Sequence, residues 1–182
     1  MIESELKIPV SGLDPIRGRL QEVDARPISP AELEINILFD TADGELASTR
    51  QVLRVRRVGA RTIVTYKGPA RWSGAVKQRR EIEFEVSSST AAAELLHALG
   101  YAPWMRYEKI RESWSLNEVR IDLDHTPMGD FVEIEGAPER LESTAREIGL
   151  DPSDAVAGSY VGLWCEHRKQ HPDLGRDMVF DQ

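Results

Sequence analysis

Residues 79–85 read Arg79-Arg80-Glu81-Ile82-Glu83-Phe84-Glu85, three glutamates in strict alternation with two large apolar residues. A repeat of two is the repeat of a β-strand, whose successive side chains point to opposite faces, so this segment carries its carboxylates on one face. The same rhythm runs outward in both directions. Glu3, Glu5 and Lys7 alternate with Ser4 and Leu6; Arg54 and Arg56 flank Val55; Thr65 and Lys67 flank Tyr66. Further on, Lys109 and Arg111 flank Ile110, Arg120, Asp122 and Asp124 alternate with Ile121 and Leu123, and Glu133 and Glu135 flank Ile134.

The charges on these faces are segregated by sign. Between residues 50 and 80 there are ten Arg or Lys and no acid, whereas carboxylates crowd at 81–85 and again at 122–135. One half-exposed sheet would simply wet such a face. A closed antiparallel barrel would instead set the cationic and acidic strands around one polar lumen and need helices over its apolar outside. Strands are expected at roughly 31–39, 52–58, 61–67 and 79–86, then near 103–114, 118–124 and 130–136, after a first strand that carries Glu3, Glu5 and Lys7. Gly59-Ala60 reads as a tight hairpin turn, and residues 68–74 as a loop in which Trp72 would sit at a tunnel mouth, with base stacking open to it.

Four helices are available to cover such a barrel. Leu13, Ile16, Leu20 and Val23 recur at helical spacing. Residues 90–99 form a second helix that stops at Gly100, and Leu141, Ala145 and Ile148 mark a third ending near Gly149. Asp151-Pro152 reads as the start of a fourth, with Val156, Tyr160 and Leu163 as its inner stripe. Residues 167–182 read as a polar tail or packing arm of a single domain spanning 1–182.

Composition excludes several classes. One cysteine, Cys165, allows no internal disulfide and no cysteine-based metal site. No apolar run approaches the roughly 18 residues of a membrane span, and the acidic start lacks a signal peptide's basic residues, so a cytoplasmic location is the default. The net charge of -8 argues against general nucleic-acid binding. The four histidines show no ligand spacing. A homodimer is the base-rate expectation.

Taken with their order, these segments resemble a known family. Glu3-Ser4-Glu5-Leu6-Lys7 resembles the ExExK signature of the CYTH, or triphosphate tunnel metalloenzyme, superfamily. Leu53-Arg54-Val55-Arg56 resembles its LRxR strand, Thr65-Tyr66-Lys67-Gly68-Pro69 its TYKGP segment, and Arg79-Arg80-Glu81-Ile82-Glu83 its R-x-E-x-E strand. Glu108-Lys109-Ile110-Arg111, Leu123-Asp124-His125 and the run from Gly129 through Glu135 resemble its later strands. The similarity covers residues 1 to about 164 and is nearest the CyaB-like branch of class IV adenylyl cyclases and thiamine triphosphatases.

The resemblance implies an α+β fold, an eight-stranded antiparallel tunnel with helices outside, a triphosphate substrate and Mg2+ or Mn2+. On that basis Lys7, Arg54, Arg56, Lys67, Lys109 and Arg111, with Arg79 as an addition, form the expected triphosphate cradle, since Arg and Lys donate to phosphate oxygens. Glu3, Glu5, Asp124, Glu133 and Glu135, with Asp122, form the expected metal set, because hard divalent ions take carboxylate oxygens. Glu3, Glu5, Lys7, Glu133 and Glu135 are the expected catalytic group. Glu81 and Glu83 are accessory, with Glu83 orienting the basic strands. Such close carboxylates repel one another until a metal binds.

The leading expectation is hydrolysis of the terminal phosphoanhydride of tripolyphosphate, ATP or thiamine triphosphate. The alternative is an adenylyl cyclase forming cyclic AMP and pyrophosphate, for which no adenine pocket is legible. A silent polyanion-binding module and an RNA 5′-triphosphatase are further alternatives.

Overall fold

The described residues form nine strands, the alternating segments among them: β1 (Ile2–Val10), β2 (Arg26–Asp40), β3 (Val52–Val58), β4 (Arg61–Lys67), β5 (Arg71–Ser73), β6 (Val76–Val86), β7 (Ala102–Leu116), β8 (Val119–Thr126) and β9 (Gly129–Glu135). The computed structural model describes residues 2–74 and 76–181. Eight strands run in the order β1-β9-β8-β7-β2-β3-β4-β6, and β6 pairs back onto β1, closing an antiparallel barrel. The ninth, β5, continues the line of β4 along the same edge of β6.

Two turns show the local chemistry of closure. Val58 pairs with Arg61 across the two-residue turn Gly59-Ala60, where Gly59 has φ +55° and no side chain to clash. Leu116 pairs with Val119 across Asn117 and Glu118, both at positive φ, the geometry that matches the twist of a tight hairpin.

The helices are α1 (Asp14–Glu22), α2 (Glu45–Ser48), α3 (Ser89–Ala98), α4 (Pro138–Glu147) and α5 (Tyr160–Gln170). Ser88 caps α3 by accepting from the Ala91 amide at 3.1 Å, and Pro opens α4 where no donor is lost.

Three sequence expectations need correction. Asp151-Pro152 does not start a long helix; Asp151 caps only a 3-10 turn, Pro152–Asp154. The Val156 amide then donates to the Lys7 carbonyl on β1 at 2.8 Å, which ties the chain to the sheet, so α5 begins only after its cap Ser159. The strand expected at 31–39 starts at Arg26. Pro27 and Pro30 lack a donor and read as a break, and the ladder passes them through register shifts. Residues 71–73, expected in a loop, are strand β5.

Two apolar clusters lie outside the barrel, and a third plugs one end of its interior, where Leu38, Tyr107 and Tyr160 reach the lumen. Leu6, Ile8, Ile121, Leu123, Val132 and Ile134, on outer strand faces, pack with Ile16 and Leu20 of α1 and with Leu141, Ala145 and Ile148 of α4 and its C-terminal end. A second outer cluster sets Phe39, Val55 and Val64 against Leu96 of α3. A third joins Leu38, Met105, Tyr107 and Phe131 to Tyr160 and Trp164 of α5 and to Met178. After α5 the chain returns over β7: the Met178 amide donates to the Arg106 carbonyl at 3.0 Å, and the Glu108 amide to the Met178 carbonyl at 2.7 Å. Among the described residues no helix is long and apolar enough to cross a membrane.

Candidate functional site

Cross-strand register carries the charged faces into the lumen. Glu5 stands opposite Glu135 on one side and Lys77 on the other; Lys7 stands opposite Glu133, Glu3 opposite Arg79, and Lys67 opposite Glu81. The result is a cavity of about 170 Å³. Glu3, Glu5, Lys7, Arg54, Arg56, Lys67, Arg79, Glu81, Glu83, Lys109, Arg111, Glu133 and Glu135 all line it. A second cavity, of about 150 Å³, shares Arg56, Glu83, Arg111 and Arg120 with the first and adds Glu32, Glu34 and Arg61.

Asp122 and Asp124 lie behind this wall and do not line the cavity. Asp124 is fully buried and accepts from Lys109 (3.0 Å), Arg111 (2.5 Å) and the Tyr160 hydroxyl (2.5 Å). Asp122 accepts from Ser113 (2.6 Å) and Arg120 (2.9 Å) and pairs with Arg111 (2.7 Å). Both carboxylates hold basic side chains in position. In the structure both carboxylates, expected among the metal ligands, face guanidinium and ammonium groups.

The basic wall is anchored in the same way. Arg54 donates to the Tyr107 hydroxyl and to Thr65, each at 3.1 Å. Arg56 pairs with Glu34 and Glu83 at 3.3 Å, and Glu83 accepts from Thr65 at 2.8 Å. Lys7 pairs with Glu133 and rests 3.7 Å from the centre of the Tyr160 ring. Burial alone would lower Lys7, but Glu133 and Glu5 beside it raise it, so it stays charged. Yet the wall keeps unused polarity. Among the described residues, the Nε atoms of Arg54 and Arg56 and both amide atoms of fully buried Asn36 find no hydrogen-bond partner. Buried polar atoms are rarely left so, and the two guanidinium N–H groups are of the donor type an oxyanion accepts from.

The acidic wall has the opposite character. Burial first, then hydrogen bonding to Glu81 and the charge of Glu135, raise Glu3 to about 8. Burial likewise raises Glu135, with the charges of Asp122 and Glu133 adding to it. Glu3 thus holds a proton at neutral pH among carboxylates that would otherwise repel. Glu81 goes the other way: burial is outweighed by Lys67, and the carboxyl falls to about 2. Lys67 itself is pushed down to about 7 by burial and by Arg54 and Arg79, against the pull of Glu81. The two shifts are compatible because Glu81 has a second cation, Arg79 at 2.9 Å, while Lys67 bears the repulsion of two guanidiniums.

The donor chemistry fits a hard divalent cation at Glu3, Glu81 and Glu135, where a metal would replace the proton that keeps the carboxylates together. Among the described residues no three His, Cys, Asp or Glu side chains are already gathered in a group able to hold an ion, so coordination requires side-chain movement.

Sequence reasoning missed several lining residues. Lys77 and Arg120 extend the period-two faces of Arg79 and Asp122 by one step, and Glu34, which lines the second cavity, follows the same alternation on β2; those signals were legible. Ser159, Tyr160 and Val161, from the start of α5, close one side of the cavity without any strand pattern to announce them.

The closed barrel thus sets a basic wall opposite an acidic one that holds a proton. The chain belongs to the CYTH family, whose domain model matches residues 1–160. Membership places it in a superfamily of metal-dependent enzymes that act on triphosphates. Among solved structures, a protein of Pyrococcus horikoshii OT3 is 28% identical with a TM-score of 0.75, over 91% of this chain and 99% of that one. A Vibrio parahaemolyticus protein named for adenylate cyclase shares the fold at 21% identity and TM-score 0.81, over 91% and 98%. So does a Hippeastrum protein whose description pairs adenylyl cyclase with a dominant triphosphatase activity, at 20% identity and TM-score 0.68, over 91% and 95%. No curated protein matches the chain.

Proposed function

We propose that the protein is a divalent-metal-dependent triphosphatase that hydrolyses the terminal phosphoanhydride of a triphosphate lying in the tunnel. The observation that carries this reading is the opposition of the two walls: unbonded Arg54 and Arg56 nitrogens on one side, and Glu3 holding a proton against Glu81 and Glu135 on the other. A pure anion site would need only the first wall. Arg54, Arg56, Lys67, Lys109 and Arg111 bind and orient the phosphates and offset the charge that grows as the bond to the leaving diphosphate breaks. Lys7 and Glu133 fix each other at the floor, beneath Tyr160. Glu3, Glu81 and Glu135, with Glu5 nearby, would hold Mg2+ or Mn2+, which supplies Lewis acidity toward the phosphate oxygens. Asp122 and Asp124 act as positioning residues for Arg111 and Lys109.

Hydrolysis adds water at the terminal phosphorus and yields orthophosphate and a diphosphate. Phosphorus NMR of the products from tripolyphosphate and from ATP, each with Mg2+ and with Mn2+, tests it. Orthophosphate with pyrophosphate, or orthophosphate with ADP, is the expected result. Cyclic AMP with pyrophosphate from ATP would replace the hydrolase with a cyclase.

A further inference from the structure

Strand β5 takes no part in closing the barrel, yet it carries a large aromatic side chain to the tunnel rim. Directly paired residues on neighbouring strands share a face. Glu135 pairs with Glu5, Glu5 with Lys77, and Lys77 with Trp72, so these four form one row across β9, β1, β6 and β5. Glu135, Glu5 and Lys77 all line the cavity. Trp72 is therefore the outermost member of a lumen-facing row. Its ring centre lies 5.9 Å from the Lys77 ammonium, which is itself buried and bonded to Glu5 at 2.6 Å.

Apart from the Lys77 ammonium, nothing among the described residues engages this ring. Trp72 is 41% exposed, it joins none of the apolar clusters, and its strand neighbours Arg71 and Ser73 are exposed as well. An exposed indole at the rim of a charged tunnel offers a flat face where a phosphate chain in the lumen would end in its organic group. Aromatic side chains stack on heterocycles with little regard to their identity.

We infer that Trp72 is a stacking platform for a planar heterocycle attached to the triphosphate, making the preferred substrate an organic triphosphate of the nucleotide type. The inference rests on the reading that the lumen takes a triphosphate. It also sets the direction of binding: the heterocycle at the rim by Lys77, the terminal phosphate deepest, toward Arg56 and Arg111.

The test compares ATP with tripolyphosphate, in the presence of Mg2+, for the unaltered protein, Trp72→Ala and Trp72→Phe, by calorimetry and by steady-state kinetics. Trp72→Ala should weaken ATP binding and raise its KM about ten-fold, hold tripolyphosphate within about two-fold, and be largely rescued by Trp72→Phe. Retained tripolyphosphate binding shows that the variant is folded. Unchanged ATP constants, or equal losses for both ligands, overturn the platform. If the ATP-selective binding loss appears but neither compound is turned over, the hydrolase reading falls and the platform stands. If both compounds are hydrolysed and Trp72→Ala changes neither, the reverse holds.

Discussion

Glu34 shows how one side chain can carry much of the tunnel's electrostatics. It is buried between Arg56 (3.3 Å) and Lys109 (3.7 Å), on the wall that the triphosphate would meet. Burial alone would raise its carboxyl, but Lys109, Arg111, Arg56 and Arg54 together hold it at about 2, below its ordinary 4.5. The unfolded chain then binds that proton more tightly than the folded one. The stability Glu34 contributes is complete above pH 4.5 and is lost as the pH falls through 2, a swing of about 3 kcal/mol. Glu34→Gln is expected to lower the urea midpoint at pH 7 and to flatten its decline between pH 4.5 and 2. An unaltered acid limb would remove Glu34 from this role. Its alternation with Leu33, Ile35 and Ile37 was legible along the chain. Its rank was not, because its cationic neighbours come from β3 and β7.

At the scale of elements, α5 and the chain that follows it close what the barrel leaves open. Tyr160 bonds Asp124 and covers Lys7, Trp164 packs into the same cluster and donates to the Arg176 carbonyl at 2.9 Å, and Met178 is fully buried against β7. The polar composition of residues 167–181 hides this, since Met178 is the one buried residue there and further ties are the hydrogen bonds of Arg176, Asp177 and Phe180. Met178→Ala should cost about 2–5 kcal/mol by the usual penalty for emptying a core site, read as a lower urea midpoint. A change under about 0.5 kcal/mol would show that the arm contributes little to the fold. Strands β3, β4, β8 and β9 lay close to their expected bounds because their alternation is unbroken. Strand β2 did not, because prolines interrupt the pattern while pairing with β7 persists around them.

At the scale of the molecule, the usual arrangement is largely inverted: two apolar clusters lie between the barrel and its helices, while the interior is ionic except at the end that Leu38, Tyr107, Phe131 and Tyr160 fill. Buried pairs of this kind add less stability than hydrophobic packing of equal volume, because both partners lose their hydration. The acidic wall adds repulsion that Glu3 relieves by holding a proton. A divalent ion would relieve it better and would bind only the folded state. Mg2+ or Mn2+ at about 100 times its Kd should stabilise the protein by about 2.7 kcal/mol, an upward shift of the melting temperature of roughly 5–10 °C for a chain of this size. EDTA should reverse it. A melting temperature indifferent to both metals would count against the acidic wall as a metal site.

The amino-acid sequence alone determined that the strands alternate, that their charges are sorted by sign, and, through the order of its motifs, that the chain has the CYTH fold. These are properties of neighbours along the chain, set by the two-residue repeat of a strand. Tertiary structure decided which charges meet. Lys7 and Glu133 are 126 residues apart, and only closure of β1 onto β9 brings them together. Closure likewise set Glu3 beside Glu81 and Glu135 and Glu5 beside Lys77, whereas the local β7–β8 and β5–β6 hairpins brought Asp122 and Asp124 to Arg111 and Trp72 to Lys77. Alternation specifies a face, but the partners across a lumen depend on the stagger of every strand around the ring.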